Sequence, residues 1–424
     1  MVGPLCMLGR MRIGVAATRL GDVDGVSFEV VKWNTVLTGL GHETVFAAGS
    51  LRQDQVGAVI PEMQLSHAAA ARVSVAAFDA ASDPQAVRQE VERLARPLQQ
   101  TLLRWVRESA LDRLIVQNAW AIPMHLPLGV ALTRVVQETG IPSVGHHHDY
   151  WWERERFAQP VVPEVLEHSF PPDLAHVRHA SINSLAAGEL RRRRGLESAV
   201  LPNVFDFDQP MPTDEEQRGR QLRAELGIAP NGVLVLQPTR VVPRKGIELA
   251  IELVARLELS QTVLLITSPA GDEGFEYLVQ LEQQAERLGV DMRYAAERFR
   301  PNDAGGATDR LPEPTHSLID GYLAADLITY PSLYEGFGNA LVEAVYFRRP
   351  VVVNRYPVYE SDIRPLGFRF VELDGAVTQS AVDEVRALLS NQELRAANGR
   401  HNFMLGHKHL GYHRLANELT QLLE

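Results

Sequence analysis

The sequence predicts an α/β protein built from two doubly wound, Rossmann-like halves. Three observations carry this. The chain has 424 residues, about twice an ordinary domain. Short apolar runs alternate with longer amphipathic stretches from end to end, the pattern of parallel strands joined by crossover helices. Near the middle a Pro- and Asp-rich stretch, Asp206 to Glu216, breaks the alternation, which then restarts.

In the first half, Arg12 to Ala17 reads as a strand, followed by a loop to Val26 and a helix from Ser27 to Leu40. Thr44 to Ala48 is the next strand, and residues 84–109 form a long amphipathic helix that Pro97 is expected to interrupt. Leu114 to Val116 and Ser143 to Gly145 read as buried strands separated by a helix over 125–138. A strand at Ala180 to Ile182 and a helix from Ser184 to Arg194 complete this half. In the second half, strands are expected at 233–237, 263–267, 292–295, 327–330 and 351–354, with helices at 247–257, 274–288, 315–324 and 339–347. A Gly- and Pro-rich loop covers Arg298 to Pro314. Two such sheets facing each other would place a ligand cleft between the C-terminal edges of their strands.

Composition narrows the function classes. Lys and Arg number 42 against 53 Asp and Glu, and the net charge of −11 argues against a nucleic acid or an anionic membrane as partner. No run approaches the length of a membrane span. The single cysteine, Cys6, excludes an internal disulfide. Residues Met1 to Arg10 lack a convincing signal-peptide pattern, so a cytoplasmic enzyme is expected, and the first strand begins so late that Met11 is an alternative start.

The most informative string is Pro331-Ser-Leu-Tyr-Glu335-Gly336-Phe337-Gly338-Asn339-Ala340-Leu-Val-Glu343, a loop between a buried strand and a helix. Free amides and the helix dipole at such a junction suit an anionic ligand, and its glycines let backbone approach it closely. Glu335 before the helix and Glu343 within it can accept charge-assisted bonds from the hydroxyls of one extended ligand. Read apart from the string, Glu335 is a capping group and Glu343 a solvated face residue. Earlier, Pro238-Thr-Arg240-Val-Val-Pro-Arg-Lys245-Gly246 joins the half's first strand to its first helix, and its cations suit a diphosphate.

The Glu-x7-Glu string with Gly-Phe-Gly inside it resembles the signature of the retaining GT-B nucleotide-sugar glycosyltransferases, the family of sucrose-phosphate synthase and the phosphatidylinositol mannosyltransferases. The Arg240 to Gly246 segment resembles that family's Gly-Arg-x4-Lys-Gly, with Thr239 in place of glycine. There is a second departure: Tyr346, Phe347 and Arg348 occupy positions where the family usually has a small residue and glycine. Gly140-Ile-Pro142 leading into His148-Asp149 resembles the segment carrying the family histidine. Gly21-Asp-Val-Asp24-Gly25 stands at the family's glycine-rich loop, and Pro202-Asn-x-x-Asp206 at its hinge.

The resemblance covers nearly the whole chain and implies a GT-B fold, two Rossmann-like domains with a cleft between them. Residues 1–205 would form the acceptor domain, with a last helix over 406–424 returning to it, and 206–405 the donor domain. The implied activity moves a hexose from a nucleoside-diphosphate sugar, GDP-mannose or UDP-glucose, to a hydroxyl of a small soluble acceptor with retained configuration. His148 and Glu335 are then the catalytic candidates. Arg240, Lys245, Gly338, Asn339 and Ala340 would hold the diphosphate; Glu335, Gly336, Phe337 and Gly338 the sugar; and Glu343 the ribose. Gly21, Asp24, Gly25, Asp149, Trp151 and Trp152 would face the acceptor. The family is usually described as using the donor phosphate itself as base, so the resemblance implies no protein nucleophile.

No cofactor is required beyond the nucleotide-sugar co-substrate, and no metal site is assigned. Three adjacent histidines, His146 to His148, face alternate sides of an extended chain and make a poor metal cage; His146 and His147 serve either loop packing or acceptor contact. Asp22-x-Asp24 and Asp206-x-Asp208 spell a metal-binding pattern that is frequent by chance. The run Arg191 to Arg194 is a solvated helix end complementing the dipole, or a contact for an anionic acceptor. The segment from His148 to Phe157 faintly resembles enzymes extending glucosylglycerate-type compatible solutes. A same-fold nucleotide-sugar epimerase or hydrolase, or a non-catalytic sugar-nucleotide-binding protein, is the alternative.

Overall fold

The computed structural model describes residues 9–20, 25–52, 54–271, 274–300 and 316–424. The chain forms two units, Met1–Pro202 with His413–Glu424, and Asn203–Tyr412. The division thus falls three residues before the expected one.

The first unit runs β1 (Arg12–Ala16), α1 (Gly25–Gly39), β2 (Glu43–Ala48), β3 (Gly57–Val59), α2 (Ala68–Ala76), α3 (Pro84–Glu108) and β4 (Arg113–Gln117). It continues with α4 (Leu126–Thr139), β5 (Ser143–His147), α5 (Pro163–Ser169), β6 (Val177–Ser181), α6 (Ser184–Arg194) and β7 (Ser198–Val200). The seven strands pair in the order β3-β2-β1-β4-β5-β6-β7, all in parallel. Every residue of β5 and all but the first of β4 is buried, as expected of strands covered on both faces.

Pro97 does not interrupt α3, against expectation: the helix runs unbroken through it. Proline removes one ladder bond and crowds the preceding turn, a cost of roughly 3 kcal/mol. On the same helix Val91, Ala95, Leu98 and Leu102 are buried in the core, where full burial of each larger side chain contributes about 1.5–3 kcal/mol. Packing therefore outweighs the local defect.

The second unit runs α7 (Glu215–Glu225), β8 (Val233–Gln237), α8 (Ile247–Leu257), β9 (Thr262–Ile266), α9 (Glu276–Leu288) and β10 (Asp291–Tyr294). The short strands β11 (Phe299–Arg300) and β12 (His316–Ser317) pair with each other. Then follow α10 (Leu318–Ala324), β13 (Leu327–Tyr330), α11 (Asn339–Tyr346), β14 (Val351–Asn354), β15 (Val371–Leu373), α12 (Gln379–Ser390) and α13 (Gln392–Leu410). Its six-stranded parallel sheet has the order β10-β9-β8-β13-β14-β15.

The expected single last helix is two: α13 ends at Leu410 and α14 (Tyr412–Leu423) begins after Gly411. Gly411 is extended there because the chain at Phe205 bridges to it, the Phe205 amide donating to the Leu410 carbonyl at 2.9 Å. In α14, Leu415, Leu419 and Leu423 are buried, and Arg113 and Arg178 of the first sheet donate to the carbonyls of Leu423 and Gln421.

Candidate active site

In the second sheet β8 pairs with β9 on one side and β13 on the other. The chain leaves β8 toward β9 and returns to place β13 on the opposite flank, so β8 and β13 mark the switch point where loops diverge and ligands enter. Two loops leave this point, 238–246 from β8 and 331–338 from β13. They are joined to each other. The Leu333 amide donates to the Arg244 carbonyl at 2.8 Å. Gly246 has φ 59, and a Cβ there would lie 2.4 Å from the Pro331 carbonyl oxygen, so only glycine permits the approach. Behind the first loop, Thr329 Oγ1 donates to Gln237 Oε1 at 2.7 Å and Gln237 Nε2 donates to Thr239 Oγ1 at 2.7 Å. That buried chain gives the hydroxyl of Thr239 a partner where the family usually has glycine.

Glu335 is the focus of the two loops. Lys245 Nζ donates to its Oε1, and Arg244 Nη1 lies 3.2 Å from its Oε2. Both Lys245 and Glu335 are buried. Burial pushes the Glu335 carboxyl up, but Lys245 and Arg244 outweigh it and hold the group below its ordinary value, so it is ionised. Arg240, at the exposed end of the β8 loop, is near enough to Lys245 to disfavour its positive charge. Three cations of one loop thus share one neighbourhood. Arg244 is the residue that sequence reasoning passed over; its adjacency to Lys245 in Pro-Arg-Lys-Gly was the available signal.

The second loop is supported from below. Tyr356 Oη donates to the Phe337 carbonyl at 2.6 Å, and Asn354 Nδ2 donates to the Ser332 carbonyl at 3.2 Å. Gly338 has φ 129 with room for a Cβ only 2.8 Å from Tyr330 Oη. It introduces α11, whose opening residues are Asn339 and Ala340, and Asn203 Nδ2 donates to Asn339 Oδ1 at 2.8 Å. Glu343 lies half-buried one turn on. Burial first, then the charge of Glu343, pushes the Tyr322 phenol far above its ordinary range. The ring of Tyr322 stacks on Phe347 at 5.0 Å, and Tyr346 contacts Phe205, Phe207 and Phe403. The bulky departures at 346 and 347 are therefore filled by an aromatic cluster behind the helix. Cations, the amides that open α11 and two carboxylates on adjoining loops can hold a diphosphate joined to hydroxyl-rich groups.

In the first unit, β5 and the residue after it present the three histidines. His146 Nδ1 is 2.8 Å from Gln117 Oε1, and its ring stacks on Trp33 at 4.2 Å. His147 turns the other way, its Nε2 3.0 Å from His179 Nδ1. His148, past the strand, is half-buried, its amide donating to Asn118 Oδ1 at 3.0 Å and its ring 4.7 Å from that of His146. Asn118 takes φ 57 at the end of β4, beside β1, the switch point of this sheet. The sequence carried no signal for that role. Asp149 pairs with Arg154. Trp151 Nε1 donates to the Phe170 carbonyl at 3.0 Å, and Trp152 stacks on Tyr150 at 4.6 Å, so both rings partly serve the fold. Arg191, Arg192 and Arg193 pair with Glu197 or Glu189, and Arg194 donates to the Phe170 carbonyl, which fits the helix-end reading. Gly25 opens α1, while Gly21 and Asp24 lie outside the described residues. Among the described residues no group of three His, Cys, Asp or Glu could hold a metal, and no helix is long and apolar enough to cross a membrane.

The family described as Glycosyl transferases group 1 matches residues 311–402. Mannosylglucosylglycerate synthase of Thermotoga maritima is 33% identical, the match covering 97% of this chain and 99% of that protein. The chain belongs to the mannosylglucosylglycerate synthase family of glycosyltransferases. A second member, from Petrotoga mobilis, is 33% identical over 86% of each chain. The GT-B fold of the family is matched by Anabaena Alr3699/HepE, solved in complex with UDP and glucose, with a TM-score of 0.66 at 15% identity over 98% of this chain and 99% of that one. In this glycosyltransferase the Glu335 and Glu343 string falls inside the matched family segment, and the His148 segment is covered by the full-length relative.

The buried imidazoles of the glycosyltransferase give a pH prediction. Burial lowers His125 and His179 to about 4, and His146 and His147 well below the ordinary value of 6.5. Between those values and 6.5 the unfolded chain binds protons that the folded chain refuses, so stability falls as pH falls. Each such site removes up to about 1.4 kcal/mol per pH unit. The melting temperature is expected to drop steadily from pH 7 to pH 5; a flat profile would mean that these imidazoles accept protons in the fold.

Proposed function

We propose that the protein transfers a mannosyl residue from GDP-mannose to a hydroxyl of glucosylglycerate, retaining the anomeric configuration. The observation that carries the reading is the convergence of Lys245 and Arg244 on Glu335 at the switch point of the second sheet, beside the opening amides of α11. The choice of sugar and acceptor follows the name shared by the two relatives. UDP-glucose is the second donor to test, since a protein of the same fold was solved with UDP and glucose.

In this reading Arg240, Arg244 and Lys245, with the amides of Gly338, Asn339 and Ala340, hold the diphosphate. Glu343 takes the ribose hydroxyls. Glu335 and the backbone of Gly336 to Gly338 take the sugar hydroxyls, and His148 contacts the transferred sugar. The bond from the anomeric carbon to the phosphate oxygen breaks, and its electron pair leaves with the nucleoside diphosphate. The acceptor oxygen bonds to the same face of that carbon, and its proton passes to the departing phosphate. The cations offset the charge growing on the leaving group, and no metal is required. Acceptor contacts fall to the segment after β1 that ends at Gly25, and to Asp149, Trp151 and Trp152.

The experiment is turnover of GDP-mannose or UDP-glucose with and without glucosylglycerate, with the product's anomeric configuration read by NMR. Acceptor-dependent transfer of one donor sugar supports the reading. Donor loss without acceptor would replace it with a hydrolase or epimerase, and no turnover of either donor would overturn it. For His148→Ala we expect kcat to fall roughly 10²-fold with little change in donor affinity, the pattern of a contact made mainly in the transition state. Unchanged kcat would remove His148 from the site.

A further inference from the structure

The edge of the second sheet opposite the two loops carries a second gathering of cations. Gly232, Asp326 and Arg349 lead into β8, β13 and β14, and together with α7 and the α12–α13 junction they bound a cavity of about 650 Å³. Five arginines line it against three carboxylates, in a chain whose net charge is −11. Two of the five are matched: Arg223 binds Asp326 at 2.8 Å and Arg220 binds Glu216 at 3.1 Å.

Arg348, Arg349 and Arg395 have no carboxylate within salt-bridge distance among the described residues. Arg349 donates through Nη2 to the Leu323 carbonyl at 2.8 Å, while its Nε is buried with no hydrogen-bond partner. Arg395 donates to the Leu389 carbonyl at 3.2 Å. Arg348 lies over the ring of Phe403 at 4.5 Å. It also takes φ 55, a conformation that glycine would adopt without steric conflict and that a long side chain resists. Burial disfavours the charge of Arg349 more than Asp326 and Glu215, neither within salt-bridge distance, favour it, and Asp326 is already paired with Arg223; a closer anion would complete the site.

We propose that this cavity binds a phosphate monoester of metabolite size through Arg348, Arg349 and Arg395. Planar guanidinium forks match the oxygens of a phosphate. The volume is far larger than a bare phosphate needs and falls in the range of small-molecule pockets. The cavity lies at the N-terminal edge of β8 and β13, whereas the Lys245 and Glu335 loops leave their C-terminal ends, so the two ligands do not compete for one place.

The test is calorimetric titration of the full chain with mannose 6-phosphate and, separately, with inorganic phosphate. The Lys245→Ala/Glu335→Gln variant removes binding at the diphosphate loops from the reading. Saturable binding of the sugar phosphate is expected to persist in that variant and to weaken about tenfold or more in Arg395→Ala and in Arg348→Gly. Arg348→Gly relieves the backbone conformation, so an unchanged or raised melting temperature accompanies the loss. The proposal is overturned if no binding is seen, if binding survives both arginine changes, or if it vanishes in the Lys245 variant. Equal affinity for inorganic phosphate would refute the monoester class.

Discussion

Lys245→Ala is expected to lower kcat/KM by about 10²- to 10³-fold, the loss that follows removal of one preorganised group facing charge that develops in the transition state. It should also lower stability, for a separate reason. The side chains of Lys245 and Glu335 are only 10% and 9% exposed, and taking one partner from a buried ion pair costs about 3–5 kcal/mol. Arg244, 3.2 Å from the other carboxylate oxygen, stays behind and offsets part of this. The double change Lys245→Ala/Glu335→Gln removes the stranded charge as well, so its melting temperature should return toward that of the parent while turnover stays lost. Near-parental turnover in Lys245→Ala would place the diphosphate elsewhere.

Gly246→Ala should act through geometry. An added methyl would lie 2.4 Å from the Pro331 carbonyl oxygen, and φ 59 already disfavours any side chain by roughly 1–2 kcal/mol. That carbonyl is backbone and cannot swing aside. The loops must separate, which moves Lys245 and Arg244 relative to Glu335 and weakens the bond from the Leu333 amide to Arg244. Displacements of about 1 Å at a reacting centre can cost 10²-fold in rate. We expect a loss of that size in kcat/KM, with Gly246→Val more severe. Parental kinetics in a folded Gly246→Ala protein would show that the loops need not touch for catalysis.

The residues of the two loops that meet at Glu335 were readable because their chemistry is local: Glu335, Gly338 and Glu343 stand in one continuous string, and Lys245 and Gly246 close one short loop. Parallel strands such as β4 and β5 were likewise marked by short apolar runs. What escaped notice depends on pieces distant in sequence. Arg244 looks like any surface arginine until its carbonyl receives Leu333 and its guanidinium meets Glu335, about ninety residues away. Asn118 acquires its role from His148, thirty residues on. Pro97 was misread because local preference was weighed without the core beneath the helix. Short β3 and β7 at the sheet edges, three residues each, offer too little pattern to detect.

The first unit is assembled from two stretches of chain, Met1–Pro202 and His413–Glu424, with the whole of the second between them. A ribosome makes residues 413–423 only after every strand of the second sheet has been made. The leucines of α14, and the carbonyls that receive Arg113 and Arg178, therefore reach the first sheet last. The half of the molecule made first is the half completed second, and no single cut in the chain separates the two units intact.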